Sequence, residues 1–378
     1  MIAEQRLVEQ FMALVRVDSE TGHEQEISRV LKEKFSALGL TVEEDDAAEK
    51  TGHGSGNLFI MLEASGASGA PTIFFTSHMD TVTPGKGIKP QLDEDGYIRS
   101  DGTTILGSDD KAGLAAMLEA IQVIQENGIP HGPVQFVITV GEEAGLYGAR
   151  AMEASRLKAS FGYALDSNGQ IGDIAVAAPT QAKITMKVIG KSAHAGVNPE
   201  DGISAIQVAA KAIGRMQLGR IDKETTANIG RFEGGGATNI VCDFVRLDAE
   251  ARSIVQDKLD AQVEAMRTAL EGAASDYGAK AEFESEIIYP AYNYTDGDPV
   301  VELAKSAIQA IGRTPRTFHS GGGSDANIFN GLGVPTVNLA VGYEHIHTTK
   351  EQIKVADLVK TTELVVEIIK QAAAVKQT

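Results

Sequence analysis

A chain of 378 residues suits two or three domains, and at 43% hydrophobic and 23% charged it has ordinary globular composition, with glycine, at 40, in excess. The 34 basic and 52 acidic residues leave a net charge of −18, the wrong sign for nucleic acid or an anionic membrane surface, both of which call for basic patches. No run approaches the roughly 18 apolar residues of a membrane span, the first ten residues have no apolar signal core, and the single Cys242 can form no internal disulfide, so a cytoplasmic protein is expected.

In chain order, amphipathic helices are predicted over residues 3–16 and 24–38, the second ended by Gly39. Short β-branched or aromatic runs follow at 57–62, 72–76, 134–140, 161–165 and 335–340, alternating with helical patterns at 111–126 and 299–311. That alternation predicts an α/β domain with a mixed, largely parallel sheet and helices on both faces. Asp95-Gly96, between Leu92 and Tyr97-Ile98, signals a hairpin turn. From 179 to 289 the pattern becomes strand, helix, two strands around Gly234-Gly235-Gly236, helix, strand. Pro179 and Pro290 mark the junctions. The expectation is an α/β domain made of 1–178 and 290–378, carrying an inserted α+β domain at 179–289.

Five acid or histidine signals fall at or after the ends of predicted strands, where open α/β sheets place ligands. His78 with Asp80 follows the run at 72–76; a carboxylate two residues on can accept the other ring N–H of a metal-bound imidazole. Gly107-Ser108-Asp109-Asp110-Lys111-Ala112-Gly113 is a turn leading into a helix, and its bland reading is an Asp N-cap. Glu142-Glu143 follows the run at 134–140, and adjacent carboxylates there either face solvent or need a cation. Asp166 closes the run at 161–165. His345-Ile346-His347, with Glu351, follows the run at 335–340. Each alone is ordinary; together they supply imidazole nitrogens and carboxylate oxygens suited to two zinc ions with one bridging carboxylate.

This ordered set resembles the two-zinc exopeptidases and amidohydrolases that include peptidase T, carboxypeptidase G, acetylornithine deacetylase, succinyl-diaminopimelate desuccinylase and the aminoacylases. The likeness spans nearly the whole chain and is nearest to the peptidase T branch, through Asp109 to Gly113, Glu142-Glu143 and Asp166. It implies that His78 and Asp166 bind one zinc, Glu143 and His347 the other, and that Asp109 bridges them. His347 fits better than His345, because Glu351 lies four residues beyond it. Asp80 would orient His78, and Glu142 would be the general base toward a metal-bridging water, later protonating the leaving amine. The peptide bond between Asp109 and Asp110 is expected to be cis.

In the inserted domain, the resemblance has His194 reaching the active site of the partner subunit of a homodimer, with Asn239 and Arg252 on substrate. Gly322 and Gly323, before Ser324-Asp325, match a loop whose backbone N–H groups approach substrate. Gly321 stands where peptidase T itself has an arginine. An Asp at position 166 accompanies aminopeptidases in this resemblance, and a Glu accompanies carboxypeptidases and deacylases. The expected activity is therefore aminopeptidase action on short peptides, tripeptidase-like, with N-acyl-amino-acid amidohydrolysis as the rival and a non-catalytic peptide-binding protein third.

Overall fold

The apolar runs at 72–76 and 134–140 lack polar alternation, the pattern of strands covered on both faces. In the computed structural model, which describes residues 2–375, they form the strands Ile73–His78 and Val134–Thr139, with every residue buried. These two pair in parallel within a sheet ordered Val42–Glu44, Leu58–Leu62, Val134–Thr139, Ile73–His78, Phe161–Ser167, Thr336–Ala340, Asp173–Ala178. The ladders from Val134–Thr139 to Thr336–Ala340 are parallel, while Leu58–Leu62 and Asp173–Ala178 join their flanks antiparallel. Four parallel strands therefore open their carboxyl ends on one edge, and the polar residues of interest follow those ends.

Neighbouring phenylalanines show how both faces are closed. Phe75 stacks on Phe136 at 6.1 Å within the core shared by the helices Glu4–Val15, Ser108–Asn127, Pro299–Ala310 and Val355–Ala372. Phe74 points the other way and meets Phe329 of the helix Asp325–Gly331 edge-on at 4.9 Å, beside Phe59, Val137 and Met152. Burial of each such ring contributes about 1.5–3 kcal/mol. The strand Asp173–Ala178 has no strong sequence signal because alanines fill half of it, and alanine has little β-preference; its position between Thr336–Ala340 and the parallel strand Arg316–His319 buries all of it. The turn at Asp95-Gly96 joins Gln91–Leu92 and Tyr97–Arg99 as an antiparallel pair.

A second unit comprises Ala178–Asn293 together with Gly321–Gly323. Its sheet runs Gly219–Arg220, Thr225–Gly234, Phe244–Ser253, Thr180–Ile189, Lys280–Tyr289, all antiparallel. Thr180–Ile189 alternates as one-sided strands do: Ala182, Ile184, Met186 and Val188 are buried in a core shared with the helices Ala205–Arg215 and Gln256–Tyr277. Gly321–Gly323 cluster with this unit rather than with the flanking sequence because Tyr289 and Arg252 hold them. Among the described residues no helix is long and apolar enough to cross a membrane.

Candidate active site

At the turn into the helix Ser108–Asn127, Asp109 (φ −83°, ψ 102°) and Asp110 (φ −121°, ψ 36°) depart from helical geometry, and the bond between them is cis. Capping falls to Asp110, whose Oδ1 accepts the Gly113 N–H at 3.3 Å. Asp109 instead lies between two histidines: Oδ1 is 3.0 Å from His78 Nε2 and Oδ2 is 3.2 Å from His347 Nε2. His78 Nε2 is also 3.7 Å from Asp166 Oδ1, and His347 Nε2 is 2.9 Å from Glu143 Oε1. His78, Asp109 and Asp166 each offer an atom within 4.8 Å of the others, and so do Asp109, Glu143 and His347. His345 is exposed and belongs to neither group.

Asp80 meets His78 through both its backbone and its side chain. His78 Nδ1 donates to the Asp80 backbone carbonyl at 2.9 Å, while the Asp80 carboxylate stands 3.5 Å away. That carboxylate accepts the Glu142 N–H (3.0 Å), the Glu143 N–H (3.3 Å) and the Thr21 hydroxyl (2.7 Å). Asp80 thus fixes the ring through its carbonyl and the Glu142-Glu143 turn through its side chain, since two backbone donors satisfy a buried carboxylate. Glu142, on that turn, is half-buried and belongs to neither ligand group.

The electrostatics reveal a shortage of positive charge. Burial, with Asp166 next, pushes the Glu142 carboxyl well above its usual range; burial lifts Glu143 to about 7, and burial with Asp109 lifts Asp166 to about 6. Burial also lifts Asp325 to about 7. Hydrogen bonds to Asp109 and Glu143 hold the His347 imidazole up at about 10. Burial opposes protonation of His78, but the carboxylates of Asp109 and Asp166 outweigh it and keep the ring well above the usual histidine range. Lys111 does not supply the missing charge: its Nζ donates to the Val17 carbonyl at 2.7 Å, and burial pushes it down to about 7. Asp110 Oδ2 and Asp325 Oδ1 are buried with no hydrogen-bond donor on them. Crowded carboxylates, histidines protonated to compensate, and a mixed oxygen and nitrogen donor set all fit divalent cations of the zinc class.

In the inserted unit, His194 is exposed and its Nδ1 accepts the Gly196 N–H at 3.1 Å, which leaves the ring proton on Nε2. Asn239 is exposed, and its carbonyl accepts the Ala195 N–H. Arg252 grips Glu250 in a bidentate pair, Nε to Oε1 at 2.9 Å and Nη2 to Oε2 at 3.0 Å, with Nη1 3.4 Å from the Tyr289 hydroxyl. The same hydroxyl accepts the Gly323 N–H at 3.2 Å. Gly323 has a steric reason to be glycine: an added Cβ would lie 2.3 Å from the Tyr289 ring. The Gly322 position has Arg252 Nη1 nearby, 3.8 Å from where a Cβ would stand.

Three residues of this neighbourhood escape a motif reading. Tyr343 donates its hydroxyl to Asp166 Oδ1 at 3.0 Å, and Thr139 donates to Asp325. Glu351 marks His347 by spacing, yet its own role lies in the four donors it collects around Asp109. The only sequence trace is a carboxylate closing the polar tract 347–350 immediately before an apolar alternation.

The sequence pattern of peptidase family M20/M25/M40 matches residues 74–371. The chain is 60% identical to the uncharacterized protein YqjE of Bacillus subtilis strain 168 over 99% of its own length and 100% of the other. Among solved structures, the aminopeptidase PepT from Bacillus cereus ATCC 10987 is 60% identical with a TM-score of 0.93, covering 98% of this chain and 99% of that one. A tripeptidase from Staphylococcus aureus subsp. aureus Mu50 is 51% identical with a TM-score of 0.96, covering 99% and 100%. The chain is a peptidase T-like member of peptidase family M20/M25/M40.

Proposed function

We propose that the protein is a two-zinc exopeptidase that removes the N-terminal residue from short peptides, tripeptides among them. The observation that carries this reading is the Asp109 carboxylate set between two histidine–carboxylate pairs, with Glu142 beside them on the turn that Asp80 holds. Its similarity to chains described as an aminopeptidase and a tripeptidase supports the substrate class. His78, Asp109 and Asp166 would hold one zinc; Asp109, Glu143 and His347 the other. When bound, the ions supply Lewis-acid polarisation of the scissile carbonyl and lower the pKa of water in the site.

The proton work belongs to Glu142. A carboxyl pushed above its usual range by burial is a stronger base toward the attacking water and can return the proton to the departing amine. His194 of the partner subunit would donate its Nε2–H to the developing oxyanion, which requires a homodimer built through the inserted unit. Arg252, Asn239 and Gly322 would recognise the peptide backbone and its carboxylate. The setting proposed is cytoplasmic.

The test compares kcat/KM for an unblocked tripeptide and its N-acetylated counterpart. A free ammonium bonded to acidic groups is worth about 1.5–3 kcal/mol, so acetylation should cost roughly 10- to 100-fold. Faster cleavage of the acetylated peptide would transfer the protein to the amidohydrolase reading with the same metal ligands.

A further inference from the structure

We infer that the segment from Tyr343 to Glu351 is a clamp that presets both halves of the metal centre, Tyr343 positioning Asp166, Glu351 positioning Asp109, and His347 held between them. The inference rests on the two-metal reading above.

Three residues spaced four apart each act on a different part of the centre. Tyr343 is buried, its strand Tyr343–Glu344 pairs with Gln352–Lys354, and its hydroxyl donates to Asp166 Oδ1 at 3.0 Å. Glu351 is 2% exposed and both of its oxygens are saturated. Oε2 accepts the Leu106 and Gly107 N–H groups at 2.8 Å each; Oε1 accepts the Ser108 hydroxyl at 2.6 Å and the Asp109 N–H at 3.0 Å. One carboxylate thereby organises the non-helical turn that offers Asp109. Only a group accepting at both oxygens meets four donors; an amide would set its own N–H₂ against two of them.

Between these anchors the backbone is left-handed at His345 (φ 57°) and at His347 (φ 62°). For residues bearing a Cβ that conformation is strained and persists only where surroundings over-determine it. Tyr343 in its strand pair and Glu351 in its four bonds provide that determination from both sides. The Thr348 hydroxyl, donating to the His345 carbonyl at 2.6 Å, tightens the turn. The two ends differ in reach. Through Asp109, which belongs to both ligand groups, Glu351 bears on both positions, whereas the Tyr343 hydroxyl reaches Asp166, which belongs to one.

Co²⁺ titration of metal-free protein, followed by visible absorption, reads the two positions separately. His347→Ala and Asp166→Ala identify which binding step belongs to which. Glu351→Gln should weaken both steps by roughly 10- to 100-fold, the usual cost of losing a residue that orients a ligand, because Asp109 belongs to both groups. Tyr343→Phe should weaken the Asp166 step and spare the other. Glu351→Asp, which keeps two acceptor oxygens, should recover part of the loss. Thermal unfolding of each metal-free variant separates positioning from stability. Should Glu351→Gln fail to fold, Ser108→Ala, which removes one donor, should still weaken both steps by about 3- to 10-fold. Folded variants with both steps unchanged, or with both steps equally weakened by Tyr343→Phe, overturn the clamp. A parent chain with no Co²⁺ step overturns the two-metal reading itself, and the clamp with it.

Discussion

Glu142→Gln is expected to lower kcat roughly 10²- to 10⁴-fold, the usual worth of general acid–base catalysis, with KM and metal content close to those of the parent chain. Glutamine is isosteric, the Glu142 N–H stays on Asp80 whatever the side chain, and neither ligand group includes Glu142, so the substitution removes the proton acceptor and little else. Glu143→Gln is the contrasting variant. Glu143 lies 2.9 Å from His347 Nε2 within the second ligand group, and its amide should cost metal before it costs chemistry. Steady-state kinetics with metal analysis on both variants decides the matter. Parent-like turnover in Glu142→Gln would remove that residue from the mechanism.

Metal affinity should rise steeply with pH well past neutrality. Without metal, His347 titrates at about 10 and His78 well above the usual histidine range, so at pH 7 both rings carry a proton that a metal must displace. Each displaced proton costs about tenfold in apparent affinity per pH unit below the pKa of its group. Between about pH 6 and pH 8 each ion should gain roughly 100-fold from its histidine alone, and the gain at the His347 position should level off only near its pKa. Glu143, at about 7, and Asp166, at about 6, add to the release at the acid end. Calorimetric titrations in buffers of different ionisation enthalpy report the protons released. Affinity flat from about pH 7.5 to 9, as imidazoles of ordinary pKa near 6.5 would give, would contradict the electrostatics described here.

Strand ends were the legible part of this chain. Apolar runs without alternation announce parallel strands, and the residues that follow those runs have to emerge at one sheet edge; His78, Glu143, Asp166 and His347 accordingly lie together with Asp109. The order of motifs along the chain carried the rest of that set. What stayed hidden depends on partners distant in sequence. Glu351 and Asp109 are 242 residues apart, and no local pattern says that one carboxylate collects the four donors of a turn. Tyr343 reads as a core aromatic until its hydroxyl is seen against Asp166. Gly323 reads as a loop offering its N–H, and Tyr289, 34 residues upstream, accepts that N–H and excludes any side chain. The spacing of His78 and Asp80 suggests a side-chain contact, and the Asp80 carboxylate stands 3.5 Å from Nδ1, while the Asp80 carbonyl is nearer at 2.9 Å. Left-handed backbone at two histidines has no composition signal at all, since glycine or asparagine is the usual marker.

The central claim is that two divalent ions are held around Asp109, and it is tested most directly by elemental analysis of active protein that has never met a chelator. One ion would leave either the Glu143 and His347 group or the His78 and Asp166 group uncompensated, with carboxyls raised to about 7 or about 6 and an imidazole held protonated against them. The account predicts two zinc-class ions per chain. A content of one or none in fully active protein would contradict it.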